Sequence, residues 1–131
     1  MKEPVWIDVR DALALHDRLL ALHGGAPGVR DAALLESALA RPHQHFAHAD
    51  SPTIIDMAAL YTAGIVRNRP FMDGNKRTGF LVGILFPEVN GYRFKATEED
   101  AAQAMLDLAA GKLDETGYGA FLGANAKRQK R

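Results

Sequence analysis

Apolar residues recur at helical spacing along most of the chain, and turn residues separate the runs. A first run starts behind Asp8, a suitable N-cap residue, and ends at the glycine pair Gly24-Gly25. A second run starts behind Asp31. We expect this second helix to stop before Pro42, because the residue that precedes a proline disfavours the helical conformation.

Two apolar runs in the middle of the chain are the strongest part of the pattern. Residues 52–66 are apolar on nearly every face of a helix, and residues 75–86 have the same character. Helices that are apolar all round lie at the centre of a bundle. We expect Ser51 to cap the first of them, with Pro52 as its first helical residue, and Pro87 to end or kink the second.

Two glycines interrupt the second central run. Gly79 and Gly83 are four residues apart, so they lie on one face of the helix. Each costs about 1 kcal/mol relative to alanine in a helix interior. We interpret both as positions where another backbone approaches closely, which is a structural rather than a catalytic use.

The last third of the chain predicts shorter elements. Residues 92–95 alternate and fit a short extended segment, Thr97 can cap a helix that ends at Gly111, and a weaker helix spans residues 114–122. We interpret the basic run 127–131 as a flexible tail, because no aromatic residue interleaves its charges. The pattern therefore predicts an all-α, single-domain helical bundle in residues 1–126, followed by that tail.

Composition narrows the class of protein. The chain has 131 residues, 47% of them hydrophobic, which is enough for one buried core. Its 16 basic and 16 acidic residues balance, so no global field recruits nucleic acid or a membrane surface, and we expect no DNA binding by the chain itself. Cysteine is absent, which excludes disulfides and thiolate chemistry. Since neither a signal peptide nor a membrane-spanning run is evident, we expect a cytoplasmic protein.

The polar stretch between the two central runs has the composition of a phosphate site. It enters a helix whose first amides and dipole favour an anion, and Gly74 lets a ligand approach the backbone. Asp73 offers a hard oxygen for Mg²⁺, while Lys76 and Arg77 supply positive charge. We therefore predict a metal-assisted phosphate or nucleotide site.

Histidines are the other candidate ligands. His16 and His23 fall on the apolar stripe of the first helix, where hydrogen-bonded core or groove-edge histidines are the favoured interpretation. His43, His45 and His48 are close in sequence and suggest zinc, but no carboxylate or cysteine completes a recognisable set. We do not favour a zinc site.

The stretch from position 69 to position 77 resembles the signature of the Fic/Doc family, whose pattern is His-x-Phe-x-Asp/Glu-Gly/Ala-Asn-x-Arg. Every fixed position after the first is matched, by Phe71, Asp73, Gly74, Asn75 and Arg77. The first is not, because the family's histidine is replaced by Arg69. Segments 15–17, 28–39 and 90–92 look like the Doc (death-on-curing) branch, so the likeness covers nearly the whole chain. It implies a compact bundle with the active loop between two central helices.

The resemblance also implies roles for the loop residues. Asp73 would bind Mg²⁺, and Asn75 would help to position phosphate or metal by hydrogen bonds. Lys76 and Arg77 would neutralise charge on the transferring group of ATP. The Gly74 amide would contribute to an anion hole.

The resemblance also bears on residues around the loop. Phe71 is expected to pack inward and fix the loop. Arg67 either faces the site or is a solvated helix end. In the family, the segment that corresponds to residues 41–50 forms a flap that helps to hold the target protein, which would assign His45 and Phe46 to target binding. A solvated loop is the alternative.

Two reactions occur among proteins with this signature. Fic members transfer AMP from ATP to a protein hydroxyl. Doc resembles them but transfers the γ-phosphate, to a threonine of elongation factor Tu, and so blocks translation. AMP-transferring members typically have Gly where this chain has Lys76 and a second Arg where it has Phe80. We therefore expect a Doc-like kinase and keep the AMP transferase as the alternative.

Arg69 puts the chemistry itself in question. In the family the histidine accepts the proton of the attacking hydroxyl, and an arginine side chain has no acceptor for it. We therefore expect a toxin of a type II toxin–antitoxin system that is nearly inactive, whether Arg69 is engineered or natural. The resemblance implies a Phd-like antitoxin as partner. A non-catalytic binding module for such a partner is a further alternative.

Overall fold

The computed structural model describes residues 1–129 as helices around one central helix, with a two-stranded sheet at the edge. The elements in chain order are α1 (Val9–His23), α2 (Ala32–His48), α3 (Ile54–Asn68), α4 (Asn75–Val89), β1 (Tyr92–Phe94), α5 (Glu98–Ala109), α6 (Glu115–Asn125) and β2 (Ala126–Arg128). The strands pair antiparallel. The predicted all-α class is confirmed.

The central helix is α3, which packs against α4, α2 and α6. Its middle is buried on every face, as the continuous apolar run predicts. A Cβ at Gly79 would lie 3.2 Å from the Thr62 carbonyl oxygen, and one at Gly83 would lie 3.2 Å from that of Ala58. The Thr62 hydroxyl donates to the Gly79 carbonyl at 2.8 Å. The predicted close approach of α4 to a neighbouring backbone is therefore confirmed.

Side-chain caps begin most of the described helices. The residues whose side chains accept a first-turn amide are Asp8, Asp31, Thr53, Thr97 and Asp114. The cap of α3 is thus Thr53, whose hydroxyl lies 3.0 Å from the Asp56 amide, and the prediction of Ser51 with Pro52 in the first turn is wrong. Both Ser51 and Thr53 have a hydroxyl that could cap the helix, and the structure has Thr53, the one next to the apolar run.

The second helix is longer than expected. We predicted that it stops before Pro42, but α2 continues through Pro42 to His48. A proline inside a helix removes one hydrogen bond. Here its ring is buried, and Phe46 in the following turns packs edge-on against Trp6, with ring centroids 5.7 Å apart. These long-range apolar contacts hold the turns after Pro42 in the helix.

The basic C-terminal run is partly structured, which corrects the prediction of a flexible tail. Lys127 lies opposite Arg93 in the sheet, and the Gln129 amide donates to the Gly91 carbonyl at 2.8 Å. Strand pairing uses backbone groups, so exposed basic side chains are compatible with it and are common on edge strands. Positions 130 and 131 lie outside the described residues. Among the residues described, no helix is long and apolar enough to cross a bilayer.

Candidate active site

The loop between α3 and α4 starts with an arginine in an unusual backbone conformation. Arg69 has φ 50° and ψ 56°, the left-handed region, and its amide donates to the Ile65 carbonyl at 3.0 Å. Glycine or asparagine usually takes this position at a helix end, because a Cβ is unfavourable there. Residue 69 is therefore held in place by its surroundings.

Arg30 provides much of that hold. Its Nε donates to the Arg69 carbonyl and its Nη2 to the Asn68 carbonyl, both at 2.7 Å. The Asn68 side chain in turn donates to the Leu34 carbonyl at 2.9 Å. The end of α3 is thus capped by a guanidinium from the segment before α2, and nothing in the sequence pattern pointed to this role for Arg30.

The segment of residues 24–31 runs beside the loop. The amides of Arg30 and Asp31 donate to the Pro70 carbonyl at 2.6 and 3.0 Å, and the Met72 amide donates to the Gly28 carbonyl at 3.0 Å. Val29 and Phe71 form an antiparallel bridge. This segment, rather than residues 41–50, is the one that flanks the loop.

The prediction that residues 41–50 form a connector is therefore wrong, while target binding by His45 and Phe46 stays a prediction. His45 and Phe46 lie in the last turns of α2, where Phe46 packs against Trp6, and not in a connector beside the loop. His43 stacks on the same tryptophan, with ring centroids 3.7 Å apart. The three neighbouring histidines are thus part of a helix end. Within residues 1–129, no group of three or more metal-ligating side chains is present.

Asn75 closes the loop from within. Its Oδ1 accepts the Phe71 amide at 2.9 Å and its Nδ2 donates to the Phe71 carbonyl at 3.0 Å. The side chain is buried, with 6% exposed. Both of its polar atoms therefore bind backbone, so Asn75 shapes the loop. Its expected help in positioning phosphate or metal by hydrogen bonds stays a prediction.

Phe71 and His16 form the floor of the loop. Phe71 is buried and its ring stacks on that of His16, with centroids 3.8 Å apart. His16 Nε2 donates to the Asp73 carbonyl at 2.8 Å. The inward packing of Phe71 and the hydrogen-bonded core position of His16 are confirmed. His23 is exposed at the end of α1, so its assignment to the core or a groove edge is wrong.

Asp73 presents an oriented carboxylate at the surface. Its Oδ2 accepts the Ala26 amide at 3.2 Å and its Oδ1 accepts the Gly74 amide at 2.9 Å. The amide of Ala26, then that of Gly74, and then the positive charge of Arg77 hold the pKa of this carboxyl below its usual range. The group is therefore ionised at neutral pH.

A carboxylate in this state fits a magnesium ion. Its two oxygens have about four acceptor positions, and the two amides use only two of them. Mg²⁺ typically takes one or two carboxylates and completes its shell with water and phosphate oxygens. Asp73 is thus the residue that would hold the ion. The Gly74 amide is directed at Asp73, so the expected contribution of this amide to an anion hole is not what the structure has.

The start of α4 differs from the capped helices. Its N-cap is Gly74, with φ 77°, and no side chain caps it. The first amides of the helix are the groups that such a cap would satisfy, and together with the helix dipole they favour an anion. Lys76 and Arg77 are both exposed in this first turn. The predicted anion-binding character of the helix start therefore has a structural basis.

A cavity of about 740 Å³ opens in front of this helix start. Such a volume is within the range of small-molecule and cofactor sites, about 300–1,000 Å³. One end is polar and the other is apolar, formed mainly by α5. Its lining comprises Arg69, Asp73, Gly74, Asn75, Lys76, Arg77, Phe80, Glu98, Ala101, Ala102, Met105 and Leu106.

Arg67 does not belong to this cavity. Its Nη1 lies 3.0 Å from Glu115 Oε1, and Arg41 Nη2 lies 2.6 Å from the same oxygen. Glu115 thus joins the ends of α3 and α6 to α2. Of the two predicted alternatives for Arg67, the exposed helix end is the one that the structure has, with an ion pair to Glu115 added.

Comparison with known proteins shows which family has this loop and these helices. The profile described as the Fic/DOC family matches residues 6–87, which include α1 to α3, the loop and most of α4. The chain belongs to the Fic/Doc family. It is 31% identical over 107 residues to Protein kinase doc of Escherichia phage P1, which covers 82% of this chain and 84% of that protein. It is 35% identical over 89 residues to Toxin Doc of Mycolicibacterium smegmatis, which covers 66% of this chain and 68% of that protein.

The Fic/Doc signature residues are gathered at one place. The predicted site residues that line the cavity are Arg69, Asp73, Gly74, Asn75, Lys76 and Arg77. Sequence reasoning missed Arg30, the Ala26 amide and Glu98. A backbone amide carries no sequence signal, and the other two residues reach the site from segments distant in the chain.

Proposed function

We propose that this Fic/Doc chain is a Doc-like toxin of a type II toxin–antitoxin system, with an ATP site but without the proton acceptor that phosphate transfer requires. The observation that carries the proposal is the cavity in front of the uncapped start of α4, where Asp73, Lys76 and Arg77 meet. The names of the two relatives, a protein kinase and a toxin, support the kinase and the toxin parts of the proposal.

The lining of the cavity fits a nucleotide. Lys76 and Arg77 provide positive charge for phosphates beside the start of α4. The apolar side chains of α5, Met105 and Leu106, and the ring of Phe80 offer a surface for the base and ribose. Bound Mg²⁺ would neutralise phosphate charge, and Asp73 is the side chain that would hold it.

Transfer of the γ-phosphate is favoured over transfer of AMP by two positions in the first turns of α4. AMP-transferring members of the family typically have a small Gly where Lys76 adds bulk and charge to the helix start. They also have a second Arg where the cavity here is lined by Phe80. Without that second clamp, the terminal phosphate is the one that the loop receives.

The reaction proposed for the family lacks its proton acceptor in this chain, because Arg69 replaces the histidine. A threonine hydroxyl oxygen of elongation factor Tu would bond to the γ-phosphorus, the bond to the β–γ bridging oxygen would break, and ADP would leave. The hydroxyl proton needs an acceptor, and a guanidinium has none. Positioned acid–base groups contribute about 10²–10⁴-fold in rate. We therefore expect Arg69→His to restore transfer by at least about 100-fold.

A two-label assay tests the proposal. Purified chain and its Arg69→His variant are incubated with elongation factor Tu and with ATP labelled at either the γ- or the α-phosphate. We expect γ-label on elongation factor Tu with Arg69→His only. Incorporation of α-label would replace the kinase by an AMP transferase. If neither label is transferred and induction of Arg69→His leaves growth unaffected, the proposed function is wrong.

The partner expected for a Doc-like toxin is a Phd-like antitoxin. A disordered segment that folds as a helix along an apolar groove gains affinity from buried apolar anchors. Co-expression of the small protein encoded next to this chain should suppress the growth arrest caused by Arg69→His. Retention of that protein by the parent chain without any label transfer by Arg69→His would favour the non-catalytic binding module.

A further inference from the structure

The polar end of the cavity carries an excess of positive side chains. Its lining contains three cations, Arg69, Lys76 and Arg77, and two carboxylates, Asp73 and Glu98. Both oxygens of Asp73 already accept backbone amides. None of the three cations forms an ion pair within residues 1–129, where the ion pairs that exist join other arginines to Glu115. The cavity is therefore charged to receive an anion.

Arg69 lines this cavity, and its backbone is fixed by its neighbours. The left-handed conformation turns the chain at residue 69, and the two hydrogen bonds from Arg30 to the carbonyls of Asn68 and Arg69 fix that turn. Arg67, two positions earlier, pairs with Glu115 outside the cavity lining. Two arginines at the end of one helix thus have different environments, and only Arg69 faces the proposed nucleotide site.

We propose that Arg69 is an anion ligand that binds the terminal phosphate of a nucleoside triphosphate and takes the place of the acceptor hydroxyl. The inference rests on the proposed function and deepens it. In the family, the residue at this position contacts the attacking hydroxyl, which itself must approach the terminal phosphorus. A guanidinium at the same position has five donors in a planar fork that matches phosphate oxygens.

Two properties follow from this arrangement. The chain holds its nucleotide more tightly than a version with a neutral side chain at position 69. The gain is largest for a triphosphate and smallest for a monophosphate, because only the longest chain of phosphates reaches residue 69. The chain is then a nucleotide-retaining protein, in which Arg69 both fails to accept a proton and excludes the group that would donate it.

Calorimetric titration with ATP and with AMP, both in the presence of Mg²⁺, tests the inference. We compare the parent chain with Arg69→Gln and with the matched control Arg67→Gln, which removes a positive charge outside the cavity. A charge-assisted hydrogen bond corresponds to about a tenfold change in affinity. We expect Arg69→Gln to weaken ATP binding about tenfold or more and AMP binding less than about twofold. Arg67→Gln should bind both as the parent does.

The outcomes separate this inference from the proposed function. If the parent and Arg69→Gln bind ATP equally well, the role assigned to Arg69 is wrong while the ATP site stands. If the parent, Arg69→Gln and Arg69→His all fail to bind ATP, the proposed function itself fails. Should Arg69→Gln not fold, Arg69→Asn replaces it, because asparagine tolerates the left-handed backbone at this position. The same tenfold loss is expected from that variant.

Discussion

Replacing Asn75 by alanine should unfold the loop without removing any ligand of the nucleotide. The side chain is 6% exposed and exchanges two hydrogen bonds with the backbone of Phe71, at 2.9 and 3.0 Å. Asn75→Ala leaves a buried amide and a buried carbonyl of Phe71 without partners. Each such group costs about 1–3 kcal/mol, so the expected loss in the free energy of unfolding for the two groups is about 2–6 kcal/mol.

Thermal and urea unfolding, followed by circular dichroism, measure this loss. For a chain of this size, a loss of about 2–6 kcal/mol corresponds to a decrease of about 7–22 °C in melting temperature. Asn75→Asp is the comparison variant, because it keeps the acceptor for the Phe71 amide but places a buried carboxylate oxygen against the Phe71 carbonyl. At neutral pH we expect it to lose at least as much stability as Asn75→Ala, because a buried charge that faces an acceptor is unfavourable.

One result would refute this reasoning. If Asn75→Ala melts within about 2 °C of the parent and yet no longer binds ATP, the amide acts on the ligand and not on the loop. A decrease in melting temperature with ATP affinity restored at low temperature, where the loop is folded, would support the role in loop closure. The two measurements together therefore separate a supporting residue from a direct ligand.

Other predictions concern the helix contact and the loop carboxylate. Gly83→Ala places a methyl group against the Thr62 hydroxyl and should destabilise the chain by about 1–3 kcal/mol in urea unfolding. Gly123→Ala, whose Cβ would lie 3.8 Å from Ile55, should instead stabilise the chain by about 0.5–1 kcal/mol, because alanine favours the helix. If both variants are destabilised, the loss in Gly83→Ala cannot be assigned to its contact with Thr62. The amides of Ala26 and Gly74 bind the charged form of Asp73 and lower its pKa, so their support for the loop is present above the ordinary pKa of a carboxyl and is lost as pH falls through the lowered one. Their NMR shifts should titrate below the usual carboxyl range and show no such step in Asp73→Asn.

The parts of the fold that follow from short segments were predictable from the sequence. N-caps such as Asp8 and Asp31, together with apolar spacing, place helix starts correctly because a cap acts within one turn. The pair Gly79 and Gly83 predicts a close helix contact because only a missing Cβ permits it. These features depend on interactions between residues close in sequence, so a single sequence is enough to predict them.

Features that depend on distant contacts were not predictable in this way. The helix continues past Pro42 because the following turns pack on Trp6, which is far away in sequence. The C-terminal residues pair with Arg93 and its neighbours although their composition is that of a solvated end. The Gly74 amide donates to the Asp73 carboxylate, whereas we expected it to face a bound anion. Residue types alone do not decide between these two acceptors.

The backbone contacts around residue 69 explain how its side chain can change without disturbing the fold. Its backbone is held by Arg30 and by the helix bond to Ile65, and neither contact involves the side chain at position 69. The loop is closed by Asn75 on Phe71, again through backbone atoms. The side chain at 69 is thus free to differ while the site around it keeps its shape. Chemistry at this position is therefore separable from architecture, and an arginine there converts a site for transfer into a site for retention, as we infer from its charge.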